Sequence, residues 1–269
     1  MAKVAGIPMV SKPSWKSENY LKAVKLVQEA ASQGAEIICL PELWLSGYHF
    51  NREDVRLLAD TAESRMIGSF QQLAKETKSV LIVPFLEMSY TPSGYGSNYF
   101  ISSAIIDNNG KLLGIYRKSL LWGQEEKTFT PGKKSYPVFK TGSGTVGVLI
   151  CYDIEFPEPA RELALKGADI IFAPSVWSLE AENRWDIQLP CRALDNTVYI
   201  FGVNAAGNGA CGKSKLVSPE GSVMSEAPSD KEKIIYGDIT CETLKHARSK
   251  IPYLKDYSRA FQKGKGNNP

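Results

Sequence analysis

The sequence predicts an α/β protein in which parallel and antiparallel strand pairs coexist. Short apolar runs alternate along the chain with segments of helical periodicity. The opening is strand–helix–strand, and that order calls for a parallel pair, because the crossover helix returns the chain to the same end of the sheet. Further on, an Asn108-Asn109-Gly110 turn between two apolar runs marks an antiparallel hairpin.

Val4 to Val10 reads as the first strand, and Ser17 to Gly34 as a helix with Tyr20, Val24, Val27 and Ala31 on one face and Gly34 as its stop. Ile37 to Leu40 is a second short apolar strand. A helix from about Ser64 to Lys78, with Met66, Phe70 and Leu73 on one face, leads into SVLIVPFLEM and then into the hairpin SNYFISSAIIDNNGKLLGIYRK. VGVLIC reads as a buried strand ending at Cys151. A helix follows with prolines in its first turn, where proline costs no hydrogen bond, and Gly167 as its stop. Strand DIIFAPS, an amphipathic helix around Trp185 and Leu189, strand TVYIFGV, and the strand segments GKSKLVSPEGSV and KIIYGDIT complete the pattern. The last residues, QKGKGNNP, are polar and glycine-rich and read as a frayed end from about residue 263. No composition break separates domains across residues 1–269, and no internal repeat is visible.

Composition excludes several classes. With 43% hydrophobic and 23% charged residues the chain is an ordinary globular one. No apolar run reaches the ~20 residues of a membrane helix, and MAKVAGIPMV is too short in its apolar stretch for a signal peptide, so a cytoplasmic protein is expected. A net charge of +3, with bases and acids interspersed, leaves no footprint for nucleic acid or membrane and points to a small-molecule partner. Five widely spaced cysteines without a C-x-x-C pair argue against both a disulfide scaffold and a zinc site. No metal or cofactor is expected.

Glu42, Lys118 and Cys151 each lie just past the end of an apolar run. Ligands gather at the carboxyl ends of strands in open α/β sheets, which brings Glu42 and Cys151 to one rim; the hairpin origin of Lys118 leaves its placement open. Cys151, at the mouth of a sheet, looks like a nucleophile, but the two histidines, His49 and His246, stand in no context suggesting a base.

LPELWLSGY, YRKSLLWGQEEKTFTPG and ICYDIEFPEPARELALKGADI resemble, in that order, the three signature segments of the carbon–nitrogen hydrolase (nitrilase) superfamily, and the likeness extends to RALDNTVYIFGVN and GKSKLVSPEGSV. The resemblance implies a four-layer αββα sandwich with mixed sheets and a Glu–Lys–Cys triad, carried here by Glu42, Lys118 and Cys151. The family's second glutamate matches Glu125 by its spacing before FTPG, with Glu126 one residue away. The resemblance also implies a homo-oligomer built on a dimer, with the helix from Pro157 and the segment from about residue 250 packing on a partner subunit.

The chemistry of such a triad dispenses with histidine. A thiol of pKa ~8.5 is only a few per cent thiolate at neutral pH, so a carboxylate must take its proton during attack. Glu42 is the candidate base, Lys118 the positive charge for the oxyanion, and the Tyr152 amide a second oxyanion donor. Tyr48, Tyr152 and Trp177 are candidate pocket walls. Arg161 and Arg192 read as structural helix charges. The expected reaction is hydrolysis of a small carboxamide to carboxylate and ammonia, with an N-carbamoyl amide or a nitrile as alternative substrates. Nitrile-cleaving members tend to follow the cysteine with Trp-Glu, where this chain has Tyr152-Asp153.

Two other motifs fail on context. Gly207 to Ser214 satisfies the phosphate-binding pattern G-x-x-x-x-G-K-S around Lys213, but KLVSPEGSV after it alternates like a hairpin and does not open a helix. Gly142 to Gly147 matches G-x-G-x-x-G, yet leads into a strand and reads as a turn.

Overall fold

A computed structural model describes residues 1–48, 52–91, 96–229 and 231–262. His49 and the tail from residue 263 lie outside the described residues. In chain order the elements are β1 (Ala2–Gly6), α1 (Lys16–Ser32), β2 (Ile37–Cys39), α2 (Arg52–Leu58), α3 (Arg65–Thr77), β3 (Val80–Tyr90), β4 (Ser97–Ile106) and β5 (Leu112–Arg117). Then come β6 (Val138–Thr141), β7 (Gly144–Val148), α4 (Pro157–Leu165), β8 (Ile170–Ser175), α5 (Glu182–Asn196), β9 (Tyr199–Asn204), β10 (Lys215–Val217), β11 (Val223–Glu226), β12 (Ile235–Ile239), α6 (Cys241–Lys250) and α7 (Tyr253–Tyr257). No helix among the described residues is long and apolar enough to cross a membrane.

The strands form two six-stranded mixed sheets, β12-β1-β2-β3-β4-β5 and β11-β10-β9-β8-β7-β6. In the first, β1, β2 and β3 are parallel and the remaining pairs antiparallel. In the second, β7, β8 and β9 are parallel and the rest antiparallel. Both halves thus repeat one order of pairings, although no repeat is visible in the residues. Alternation along the strands builds the layers, because successive side chains leave opposite faces. Ile38, Leu81 and Val83 meet Val27 of α1 and Phe70 of α3 on one outer face. Val4, Ile37 and Ile82 join the core that holds Phe172, Phe201 and Leu216 of the second sheet. On the far side, a Cβ on Gly202 would come within 2.4 Å of Leu189 and 2.6 Å of Trp185, so α5 packs directly on the β9 backbone. The order is helices, sheet, sheet, helices, the expected sandwich.

Some local expectations are corrected. The first strand ends at Gly6 and not at Val10: Ile7 still donates to the Cys39 carbonyl at 3.0 Å, but Pro8 has no N–H to continue the ladder. Gly142 to Gly147 is only partly a turn, since β7 begins at Gly144. Three helices, α2, α6 and the five-residue α7, lie where the residues predict none. α2 is only seven residues long, and α6 buries only Leu244 and Ala247, too little for an apolar stripe to show. Gly207 to Ser214 opens no helix and leads into β10. Gly212 is required there: its φ is +61° and a Cβ would lie 2.3 Å from the Ser229 carbonyl oxygen.

Candidate active site

Each candidate residue sits where a strand has just ended. Glu42 follows β2 and is 1% exposed; Leu43 after it has φ +49°, which turns the chain away from the sheet and leaves the carboxylate pointing inward. Lys118 follows β5, also 1% exposed, with its backbone held on both sides: its N–H donates to Ile101 (2.8 Å) and its carbonyl accepts from Gly132 (2.8 Å). Cys151 opens a 3-10 turn, Cys151–Glu155, in the left-handed region at φ +49°. For a non-glycine residue that conformation costs on the order of 1–3 kcal/mol, and the surrounding structure holds it.

The hairpin end does converge on the rim. Lys118 Nζ donates to Glu42 Oε1 at 2.9 Å and to Glu125 Oε1 at 2.8 Å. Glu125 Oε1 also accepts from the Tyr48 hydroxyl at 2.6 Å, and its Oε2 accepts from the Trp122 amide at 2.8 Å. Of the two adjacent glutamates, Glu125 is fully buried in this network and Glu126 is exposed. The other Glu42 oxygen accepts from the Val176 amide at 2.9 Å. Val176 follows β8 as Glu42 follows β2, so this bond ties together the carboxyl ends of the central parallel strands of both sheets.

Burial decides the protonation states. Burial raises the Glu42 pKa against the opposing charge of Lys118. Burial likewise pushes the Cys151 thiol well up, and the Glu42 charge adds to it. Burial alone would lower Lys118, but Glu42, Cys151 and Glu125 reverse the sign and keep the ammonium charged. Tyr48 is raised by burial and by both carboxylates, so it stays a neutral donor. Burial and the neighbouring charges thus favour the neutral thiol on Cys151, raise the proton affinity of Glu42 and favour the ammonium form of Lys118.

Cys151 lines a cavity of about 120 Å³ walled by Tyr48, Trp122, Tyr152, Val176 and Trp177, with Glu155 and Arg184 also lining it. The Tyr152 ring lies 4.9 Å from that of Trp122, and the Trp177 indole donates to the Ala181 carbonyl at 2.8 Å. Arg192 donates to the carbonyls of Ile154 (3.1 Å) and Glu155 (2.6 Å), a structural role on the nucleophile turn. Arg161 lies over the Tyr257 ring at 5.0 Å, away from the cavity. Lys213 is paired with Glu182 (2.9 Å) and Asp186 of α5. No group of three or more metal-ligating side chains occurs among the described residues.

The model of the carbon–nitrogen hydrolase family matches residues 3–249. The chain belongs to that family. Among relatives of this carbon–nitrogen hydrolase, a nitrilase of Pyrococcus abyssi (strain GE5 / Orsay) is 34% identical over 254 residues, covering 92% of this chain and 93% of the relative. The omega-amidase NIT2 of Homo sapiens is 32% identical over 257 residues, covering 90% of each. The crystal structure of Saccharomyces cerevisiae Nit3, a member of branch 10 of the nitrilase superfamily, superposes with a TM-score of 0.83 at 30% identity, covering 93% of this chain and 94% of that one.

Sequence reasoning missed several parts of this hydrolase's site. The Val176 amide is backbone and leaves no trace in residue type. Trp122, Glu155 and Arg184 stand in no sequence pattern that marks them as cavity residues. Asp153 appeared only as half of a dipeptide distinguishing amide from nitrile cleavage. It is 0% exposed and accepts from the Tyr116 hydroxyl (2.7 Å), the Ser119 hydroxyl (2.9 Å) and the amides of Ser119 (3.1 Å), Leu120 (2.9 Å) and Ile150 (3.1 Å).

Proposed function

We propose that this carbon–nitrogen hydrolase cleaves a small carboxamide to a carboxylate and ammonia through a thioacyl-enzyme on Cys151. The observation that carries the reading is the buried Lys118 ammonium, held between Glu42 and Glu125, with Cys151 lining the cavity at the same rim. Cys151 Sγ attacks the amide carbon while its proton passes to Glu42, whose raised pKa suits it to accept. The oxyanion develops next to Lys118, with the Tyr152 amide as second donor. Glu42 returns the proton to the leaving nitrogen, the C–N bond breaks and ammonia departs. Water then attacks the thioester with Glu42 again as base, releasing the carboxylate and restoring the thiol. Glu125 fixes Lys118 and Tyr48 through one oxygen.

An N-carbamoyl amide or a nitrile fits the same triad. Tyr152-Asp153 after the nucleophile, in place of the Trp-Glu that resemblance associates with nitrile cleavage, favours the amide. Nucleotide binding at Gly207 to Ser214 is disfavoured, because Lys213 is already neutralised by Glu182 and Asp186. The free state of Cys39, Cys151, Cys191, Cys211 and Cys241 supports a reducing compartment, the cytoplasm.

We place the functional unit in a homodimer, the chain acting as one catalytic domain. Ile187 (58%), Leu194 (38%), Ile251 (37%) and Tyr253 (40%) are exposed on α5 and the C-terminal segment, apolar side chains that a second copy would cover. Ammonia release from a panel of amides, nitriles and N-carbamoyl compounds tests the activity: release from amides with an intact thiol requirement is expected, and turnover of nitriles alone refutes the amide reading.

A further inference from the structure

Two charged side chains line the cavity in front of Cys151, and they differ in how firmly they are held. Glu155 sits on the same 3-10 turn as the nucleophile, with its side chain only 12% exposed. Its carbonyl is clamped by Arg192 at 2.6 Å and its carboxylate also accepts from Gln188 at 3.3 Å. Arg184 is 43% exposed and reaches Glu155 through a single nitrogen, Nη1, at 2.9 and 2.7 Å from the two oxygens. Its guanidinium lies 5.4 Å from the Trp122 ring and 5.7 Å from the Trp177 ring. A mostly buried anion whose paired cation lies over two aromatic rings lining the same cavity is an arrangement that receives a cation. Here the protein's own partly exposed Arg184 side chain occupies it.

We propose that Glu155, Trp122 and Trp177 form a subsite for a positively charged group on the substrate, and that Arg184 is the internal cation it displaces. This deepens the amidase reading and rests on it. A cationic substrate exchanges one ion pair for another and inherits both ring faces. An anionic substrate must lie beside Glu155 or draw Arg184 away, stranding a mostly buried carboxylate, which is the expensive way to break such a pair. A neutral substrate is limited to what the cavity of about 120 Å³ admits with Arg184 in place. The substrate class is therefore an amide with an ammonium or guanidinium group a few methylenes from the scissile carbonyl.

Three amides of similar length test this: 5-aminopentanamide, hexanamide and 5-amino-5-oxopentanoate. The wild type is expected to prefer the ammonium compound over the neutral one by about tenfold or more in kcat/KM, with the carboxylate compound last. In Glu155→Gln that preference falls toward one, and in Arg184→Ala it grows. Preference for the carboxylate compound, lost in Arg184→Ala, would make Arg184 an anion clamp and overturn the inference. Protection of Cys151 from iodoacetamide by butylammonium, compared with butyrate, reads the same subsite without turnover. Equal protection by both overturns it. If no amide is hydrolysed while butylammonium still protects selectively, the amidase reading fails and the cation subsite stands.

Discussion

Asp153 Oδ1 accepts both the amide (3.1 Å) and the hydroxyl (2.9 Å) of Ser119, which fastens the residue after Lys118 to the residue two past Cys151. Through the same carboxylate, the Ile150 amide is held at 3.1 Å, so the backbone just after Lys118 and just before Cys151, the proposed nucleophile, is tied to one side chain. Asp153→Asn offers one acceptor oxygen where two are used and turns an amide NH2 toward donors. We expect kcat to fall about 100-fold, as a misplacement of reacting groups by about 1 Å can cause, with KM little changed. The Cys151 alkylation rate should fall in step. Lowered thermal stability with normal kcat and normal alkylation would mean that Asp153 only supports the fold.

Removing the sulfur ends the reaction. Cys151→Ala is expected to release no ammonia while remaining folded, because no thioacyl intermediate can form. Mass spectrometry of the wild type with a slow substrate should place the adduct on Cys151. Labelling of the exposed Cys241 or the half-buried Cys191 in its stead would refute the assignment.

Glu42→Gln and Lys118→Ala are each expected to cost about two or more orders of magnitude in kcat, with the double mutant far from additive. Lys118→Ala should also destabilise the protein by about 3–5 kcal/mol, because it strands two buried carboxylates. Denaturant titration measures the second effect separately. Between the adjacent glutamates, Glu125→Gln should impair kcat and Glu126→Gln should not; the reverse would exchange their roles.

The pH profile follows from the sign of the Glu42 shift. The base must be ionised to accept the thiol proton, and burial raises its pKa, so activity is lost as pH falls through a value above the ordinary carboxylate range. The acid limb of kcat/KM should therefore have its midpoint clearly above ~4.3. A limb at or below that value would remove Glu42 as the base.

In solution the protein is expected to be a dimer or a multiple of one. Light scattering at micromolar concentration checks this, and Ile187→Asp with Leu194→Asp should shift the mass toward the monomer if α5 forms the contact. A wild-type monomer refutes the proposal.

The α/β class was legible in the residues because side-chain alternation and helical periodicity are local: Ile37 to Cys39, Arg65 to Thr77 and Ile170 to Ser175 each declare their element within their own length. The three motif segments likewise named Glu42, Lys118 and Cys151 as candidates, since each lies within three residues of a strand's end. What the sequence could not carry was relation across distance. The repeated pairing order of the two sheets is a property of backbone hydrogen bonds, which unlike side chains can satisfy equally well. The choice of Glu125 over Glu126 depended on which carboxylate a second 3-10 turn, Gly123–Lys127, buries. The placement of Lys118, from a hairpin, between Glu125 of its own segment and Glu42 depended on the strand pairing that puts β2 and β5 in one sheet and brings residues 76 positions apart to 2.9 Å. The Val176 amide and the five donors on Asp153 became visible only there, because desolvation and convergence, which give these groups their energies, exist only once the layers have closed.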